Sequence, residues 1–550
     1  MSSADLTLIL PECVMLLWIN GLLLFGLMFS SVNFTFDQSK EKAYVLNHKL
    51  NFNNTAISEK QNSVIKYKPL GLENLFKRTN NACLISPALI TEPCARFMVL
   101  GLALCAHLYL NLTLTHGFAL TTLIWDPLGR IMSVLLCLSA AASVILSTQT
   151  FKRFSRYEFI LILWLSILGM LCLIKSYDFL AFYLSVELQS LSFYMLAAMR
   201  SRTEASAEAG LKYFILSAFS SALLLLGMAL IYGSIGSINF ADTCLTLSHF
   251  EKNSAYSSVI LTLGLGCIIV SLLFKLGAVP FHTWVADVYE GSNTGITSWF
   301  ALTPKFALLC VLIRLISYDC DPYLVNILTS VALLSLIVGS LSAMRQIKLK
   351  RLIAFSSIAN VGWFLLALVS GQWQTMLLHL IVYTLLSVIL FATFLIPLFR
   401  THPDLNYRVR YTKGQVSDHG ADSTNIKYIS DLHQLSKVNP CLAFAVCLAL
   451  FSLAGMPPLA GFYSKYLILN ALTQAELYGV LALALGTALL SAFYYLRVIK
   501  TLYFAGNVKT SYWFSVYEIP VNALVLSYCC AINVLFFVKP DYICVWLATI

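Results

Sequence analysis

Charge is what this 550-residue sequence has least of. Asp, Glu, Lys and Arg make up 11% of it, against about a quarter in soluble globular proteins. With 59% hydrophobic residues and a mean hydropathy of +0.79, that scarcity excludes a soluble enzyme. A transmembrane helix uses about 20 residues, so the length allows up to roughly 20 spans and leaves no room for a large aqueous domain. The ten-residue alternating stretches of an outer-membrane barrel are lacking, so the spans are helices. No Cys-x-x-Cys pair occurs to hold zinc or an iron-sulfur cluster, and no metal site is expected. The 15 cysteines fall mostly inside apolar runs, as do Cys105, Cys137, Cys172, Cys267 and Cys447, and read as packing residues. Met1 to Leu10 carries Asp5 but no Arg, unlike a basic signal or an Arg-rich transit peptide, so the first span is expected to be retained. No short-period repeat or low-complexity tract is present.

What is there is a series of apolar stretches. They lie at about 8–31, 97–116, 124–147, 158–176, 178–199, 207–233, 257–280, 295–318, 323–344, 351–370, 374–398, 441–467, 474–500 and 517–538. The expected fold is therefore an all-α polytopic membrane protein of about fourteen transmembrane helices. Two polar segments interrupt it, at 34–83 and 400–440. The formal charge of +10 reads as topology rather than as affinity for nucleic acid, because Lys and Arg gather in loops that stay on the non-translocated side. Loops after odd-numbered spans hold most of the basic residues, including Lys152, Arg153, Arg200, Arg345, Lys350, Arg351 and Lys500. Loops after even-numbered spans hold little beyond Lys175 and Lys252. Both termini are thus expected on the far side of the membrane and both polar loops on the positive-inside face.

Ionisable residues inside spans are costly in hydrocarbon and usually face a polar interior or a water path. Five stand out: Glu187 in the fifth span, Lys212 in the sixth, Lys275 in the seventh, Lys305 in the eighth and Lys465 in the twelfth. Burial of a lysine favours its neutral form and a nearby carboxylate favours its charged form, so such a series can hold and pass protons. Glu187 with Lys212 or Lys275 is the expected charge pair. The competing reading is of static pairs or snorkelling end residues, which suits Arg314 best. His282 and His379 are further candidates for the relay, with packing or capping as the alternative; Tyr383 follows His379 by one turn. Helix breaks coincide with the lysines. Pro280 follows Gly277 at the end of the seventh span, and Pro457 and Pro458 interrupt the twelfth. The broken spans lie five apart, an odd number, which suggests two inverted five-helix repeats. The resulting division is 1–33 first helix, 34–83 polar insertion, 84–147 helices two and three, 148–320 first repeat, 321–505 second repeat with the polar loop, and 506–550 last helix.

Five sequence segments resemble one family. They are Ser185-Val-Glu-Leu-Gln-Ser-Leu-Ser-Phe-Tyr, Glu208-Ala-Gly-Leu-Lys-Tyr-Phe, Phe274-Lys-Leu-Gly-Ala-Val-Pro-Phe-His-Thr-Trp with Asp287-Val-Tyr-Glu-Gly, Lys350-Arg-Leu-Ile-Ala-Phe-Ser-Ser-Ile, and Leu453-Ala-Gly-Met-Pro-Pro-Leu-Ala-Gly-Phe-Tyr-Ser-Lys. Over residues 85–505 the chain is similar to the chain 2 family of proton-pumping NADH:ubiquinone oxidoreductase, respiratory complex I, in its mitochondrial form. The resemblance implies an antiporter-like membrane-arm subunit in which Glu187, Lys212, Lys275, Lys305 and Lys465 match the family's glutamate and lysine series. It implies no cofactor in this chain: NADH, FMN, iron-sulfur clusters and ubiquinone belong to other subunits. Its partners would be other membrane-arm subunits, including neighbouring antiporter-like chains, together with lipids and bound phospholipid. Two departures are plain: Tyr289-Glu-Gly-Ser-Asn-Thr-Gly lacks the family's Ser-Pro-x-Pro turn, and Ala359-Asn360 stand where the family has His. The insertion at 34–83 has no family counterpart and is a candidate contact for an accessory subunit.

The expected function is proton translocation driven by electron transfer from NADH to ubiquinone in other subunits, in the mitochondrial inner membrane. A bacterial plasma membrane satisfies the same topology. The alternatives are a self-standing cation/proton antiporter and a non-pumping spacer of the membrane arm.

Overall fold

The computed structural model describes residues 3–30, 87–111, 117–119, 122–154, 158–200, 203–243, 246, 255–317, 322–395, 427–433, 435–504, 520–538 and 540. The insertion at 34–83, most of the loop at 400–440 and Lys252 lie outside the described residues.

The expected all-helical fold is what forms. The N-terminal helices are α1 (Ser3–Ser30), α2 (Pro87–Asn111) and α3 (Pro127–Phe154), with a small antiparallel hairpin, β1 (Gly117–Ala119) and β2 (Leu123–Trp125), between the last two. Next come α4 (Glu158–Lys175), α5 (Phe179–Ala197), α6 (Glu204–Ile235), α7 (Ala255–Leu276), α8 (Thr283–Gly291), α9 (Thr294–Leu302) and α10 (Pro304–Ser317). Then follow α11 (Pro322–Met344), α12 (Leu349–Val369), α13 (Trp373–Phe394), α14 (Pro440–Ala454), α15 (Ala460–Gln474), α16 (Tyr478–Tyr503) and α17 (Pro520–Val538). Among the described residues, 12 helical stretches are long and apolar enough to cross a membrane, with α9 and α10 forming one of them; Pro440–Ala454 and Asn522–Phe536 are shorter apolar helices.

Both predicted breaks are present, and the same backbone device makes each. At the end of α7, Gly277 takes a left-handed φ of 78°; its amide bonds the Phe274 carbonyl at 3.0 Å, and the Ala278 amide bonds the Leu273 carbonyl at 3.0 Å. At the end of α14, Gly455 has φ 86°, with amide bonds from Gly455 to Ser452 at 3.0 Å and from Met456 to Phe451 at 3.0 Å. These are Schellman closures, and the prolines that follow cannot continue the helix. A third interruption was read in the sequence as a continuous span. Pro304 lacks the amide that would bond the Phe300 carbonyl, so the eighth span is divided into α9 and α10 just ahead of Lys305.

Enclosure by protein is very uneven. Over an 18-residue apolar window of each, 94% of the α9–α10 stretch and 89% of α12 and α13 is buried, against 28% of α6 and α16. The first three are the interior of the bundle; α6 and α16 present Phe219, Leu226, Leu489 and Phe493 outward, as lipid-facing helices do. Close approach depends on small residues. Gly339 lies so near Ala359 that an added Cβ would come within 2.7 Å of the Ala359 amide nitrogen, bringing α11 onto α12; at Gly461 a Cβ would overlap the Ser452 carbonyl across the α14–α15 break.

Two buried ion pairs tie helix ends together. Lys175, at the end of α4, pairs with Glu12 of α1 at 2.6 Å, and the Tyr109 hydroxyl of α2 donates to the same carboxylate oxygen at 2.6 Å. The Lys175 ammonium also lies over the Tyr109 and Trp125 rings, 4.8 and 4.4 Å from their centroids. Arg314 is not the snorkelling end residue that its position suggested. It is buried, binds Asp126 through Nη2 at 2.8 Å and Nε at 3.3 Å, and donates to the Ile174 and Ser176 carbonyls at the end of α4. The reason is local: α4 ends beside α10, and its unsatisfied carbonyls attract a planar cation better than the headgroup region does.

Two outcomes follow. Gly461→Ala should destabilise the chain by about 1–3 kcal/mol through overpacking, lowering the yield of assembled protein, whereas the same change at Gly479, which has open space around it, should leave yield unchanged. Lys175→Met should cost about 3–5 kcal/mol by stranding a buried carboxylate, and adding Glu12→Gln should recover most of it, read as the thermal midpoint of the solubilised protein. Equal midpoints for the single and double variants would contradict the pairing.

Candidate functional site

The site is built around the three interruptions. Lys275 is in the last turn of α7, one residue before the closing Leu276 and Gly277. Its ammonium is buried and has no hydrogen-bond partner. Lys305 opens α10 immediately after Pro304 and is 4% exposed. These two lysines line one cavity with Ser190, Tyr213, Tyr289 and Pro304. The cavity brings together α5, α6, α7, α8, α9 and α10, so it forms where the α7 closure and Pro304 pull backbone away from regular packing.

Glu187 reaches this cavity through its neighbour on α5. The Ser190 hydroxyl, on the cavity wall, lies 3.0 Å from the Glu187 carbonyl and 3.3 Å from Glu187 Oε2, while Oε1 is buried without a partner. Of the two lysines expected as its charge partner, Lys275 lies within reach of the Glu187 charge, but among the described residues no hydrogen bond or ion pair joins Glu187 to either one. Lys275 has no bonded partner at all. Lys212 is 43% exposed and is held at 2.7 Å by Glu208 and at 2.9 Å by Asp287 of α8. Asp287 is shared with Arg351 at 3.0 Å, and Glu290 takes Arg351 and Lys348. Lys212 therefore belongs to an ionic network that ties α6 and α8 to the start of α12, outside the enclosed line. Its place on α6, the least enclosed helix of that half, is the physical reason.

From the cavity the enclosed line continues into α13. The Lys305 ammonium donates to the Tyr383 hydroxyl at 2.7 Å and lies 3.9 Å from the centre of its ring. His379, one turn before Tyr383, is 3% exposed; its Nδ1 is 3.0 Å from the Ser464 hydroxyl, and its Nε2 is buried without a partner. Ser464 also donates to the Gly461 carbonyl at 3.1 Å, and its chain neighbour is Lys465. Because a hydroxyl has one proton, donation to Gly461 makes Ser464 the acceptor for a protonated Nδ1, and donation to His379 reverses the tautomer.

Lys465 reaches back across the second break. Its ammonium bonds the Leu453 carbonyl at 2.6 Å and the Ala454 carbonyl at 3.5 Å. Those are the carbonyls that the Schellman closure at Gly455 leaves free, at the negative end of α14, so the break itself supplies the cation with oxygen ligands.

His282 precedes α8 and its Nδ1 is buried without a partner; no hydrogen bond or ion pair connects it to Glu187 or to any of the four lysines. Asn360, of the Ala359-Asn360 pair found where the resemblance led one to expect a histidine, donates to the Ser356 carbonyl of its own helix at 2.8 Å. The turn that lacks both prolines is a two-residue link, Ser292 and Asn293, both extended, between α8 and α9. Sequence reasoning missed Ser190 and Ser464. A hydroxyl one residue before Lys465 and three after Glu187 was visible, but which way it faced was not.

With this geometry in place, comparison with known proteins identifies the family. The profile described as "NADH:quinone oxidoreductase/Mrp antiporter, TM" matches residues 176–491, which span both breaks and all of the series from Glu187 to Lys465. The chain is 37% identical over 399 residues to NADH-ubiquinone oxidoreductase chain 2 of Oenothera berteroana, covering 72% of this chain and 77% of the relative. It is 35% identical over 387 residues to NADH-quinone oxidoreductase subunit N 1 of Rhizobium meliloti, covering 69% and 75%. A chain in the structure of respiratory complex I from Thermus thermophilus superposes with a TM-score of 0.67 at 29% identity, covering 82% of this chain and 92% of that one. This chain belongs to the antiporter-like membrane-subunit family of NADH:quinone oxidoreductases, with the chain 2 and subunit N proteins.

Proposed function

We propose that this chain is the chain 2 or subunit N component of the membrane arm of NADH:quinone oxidoreductase and that it carries protons across the bilayer along its enclosed polar line. The observation that carries the reading is the pair Lys275 and Lys305: two buried ammonium groups on one cavity, one with no partner and the other bonded only to a tyrosine hydroxyl. A spacer has no use for such groups, because each is costly in a bilayer and adds no ion pair.

In this account protons reach the cavity past Glu187 and Ser190. Lys275 takes a proton and passes it through cavity water to Lys305. Lys305 returns to its neutral amine as the Tyr383 oxygen takes that proton and Tyr383 releases its own hydroxyl proton toward His379, one turn earlier on α13; Ser464 then relays in the same way, its oxygen taking a proton from His379 as its own hydroxyl proton passes to a neutral Lys465. The carbonyls at the end of α14 hold the Lys465 ammonium until release on the far side. Lys212 acts at the rim, where its bonds to Asp287 set the position of α8. We assign α4–α10 and α11–α16 as two inverted units, a reading supported by the matching Schellman closures in α7 and α14. NADH, FMN, iron-sulfur clusters and ubiquinone are assigned to other subunits. Electron transfer then drives this relay by favouring one of two conformations through its neighbours. The membrane is assigned as the mitochondrial inner membrane, on the resemblance of the motifs to the mitochondrial chain 2 form.

The test is Lys305→Ala in the assembled complex. NADH-driven proton pumping and quinone reduction should fall together to near background with assembly intact, and Tyr383→Phe, which removes only the hydroxyl, should give an intermediate loss of both. Wild-type pumping in Lys305→Ala would overturn the assignment in favour of a spacer.

A further inference from the structure

The positive-inside ends of α11 and α16 carry a second feature, unrelated to the proton line. Helix α11 packs against α16 there, and the Arg497 guanidinium bonds the Met344 carbonyl at 3.0 Å, which fixes it beside Arg345. Lys500 follows Arg497 by one turn on α16. All three side chains are exposed. Among the described residues none has a carboxylate partner. The contrast with Lys348 and Arg351, a few residues further on, is sharp, because both are consumed by Glu290 and Asp287. Asp431, on the short 3₁₀ turn (Ile429–Leu432) packed against α16, caps the amides of Lys427 and Tyr428.

Below the three cations the same two helices present apolar side chains outward. Leu341 is 49% exposed and Phe493 63%; at the level of the charges, Tyr503 is 40% and Phe504 77% exposed. An acyl-chain surface topped by aromatic residues and then by uncompensated cations is the order of groups across a bilayer interface. A cluster of Lys and Arg at the cytoplasmic or matrix end of neighbouring transmembrane helices attracts anionic headgroups. Arginine adds a planar fork that matches phosphate oxygens.

We propose that Arg345, Arg497 and Lys500 form the headgroup site of an anionic phospholipid whose acyl chains lie along the exposed apolar faces of α11 and α16. Charge complementarity selects the anionic class. The carbonyl bond that holds Arg497 in place distinguishes the site from a loose basic loop.

The experiment uses the intact complex, reconstituted with photoactivatable phosphatidylglycerol or, in a parallel sample, photoactivatable phosphatidylcholine, and maps the labelled peptides. The anionic probe should label the 341–347 and 489–504 peptides in preference to the zwitterionic one. Each charge removed by Arg345→Gln, Arg497→Gln or Lys500→Gln should weaken that labelling about fivefold, as expected for one basic side chain near a membrane surface. The triple variant should abolish it, and the double variant Arg345→Lys with Arg497→Lys, which keeps all three charges, should retain most of it. If the triple variant fails to assemble, the single variants read the same effect. Equal labelling by both probes, unchanged labelling in the variants, or absence of labelling because a protein subunit crosslinks there instead would each overturn the proposal.

Discussion

The architecture turns on how an ammonium group is kept inside a bilayer. Hydrocarbon offers no water to a cation, so each buried lysine must either find protein oxygen or stand where its charge can leave. The chain uses a different solution at each position. Lys175 has a carboxylate, a tyrosine-buttressed one, and two aromatic rings. Lys465 has the two helix-end carbonyls left over from the closure at Gly455. Lys305 has one phenol. Lys275 has none. The four lysines thus run from fully compensated to without a hydrogen-bond partner among the described residues.

Helix breaks make the gradient. An unbroken helix satisfies its carbonyls internally and has none to offer a cation. The closures at Gly277 and Gly455 and the missing amide of Pro304 free backbone oxygens or open space next to Lys275, Lys465 and Lys305 respectively. The surrounding bundle then keeps lipid out: the α9–α10 stretch, α12 and α13 are the most enclosed spans, and they hold Lys305, His379 and Tyr383. At the far end of α10, nine residues beyond Lys305, the bidentate contact of Arg314 with Asp126 fixes that helix to α3 and α4. The helix that bears the central lysine is thus anchored at one end and broken at the other.

Much of this was legible in the sequence. Hydropathy runs gave the spans, and Gly-x-x-Pro and Gly-x-Pro-Pro after apolar runs gave two breaks, because left-handed glycine followed by proline has few other uses in a membrane helix. The interruption at Pro304 was overlooked because apolar residues continue on both sides of it. Burial was harder. Lys175 and Arg314 sit at span ends and were read as facing the far-side loop or the headgroups, yet both are consumed by Glu12 and Asp126, residues some 160 to 190 positions away along the chain. Such pairing is a property of tertiary contact and leaves no local pattern. Lys212 lies near the start of its span, and nothing in the sequence signalled that Glu208 and Asp287 both bind it.

The central claim is that Lys275 exchanges its proton and does not serve as a fixed charge. Replacing it with arginine tests this directly, because a guanidinium keeps the charge and does not release its proton in a protein. In assembled complex carrying Lys275→Arg, the account predicts that NADH-driven pumping and quinone reduction are lost together. Wild-type rates of both would contradict it and make Lys275 a static charge.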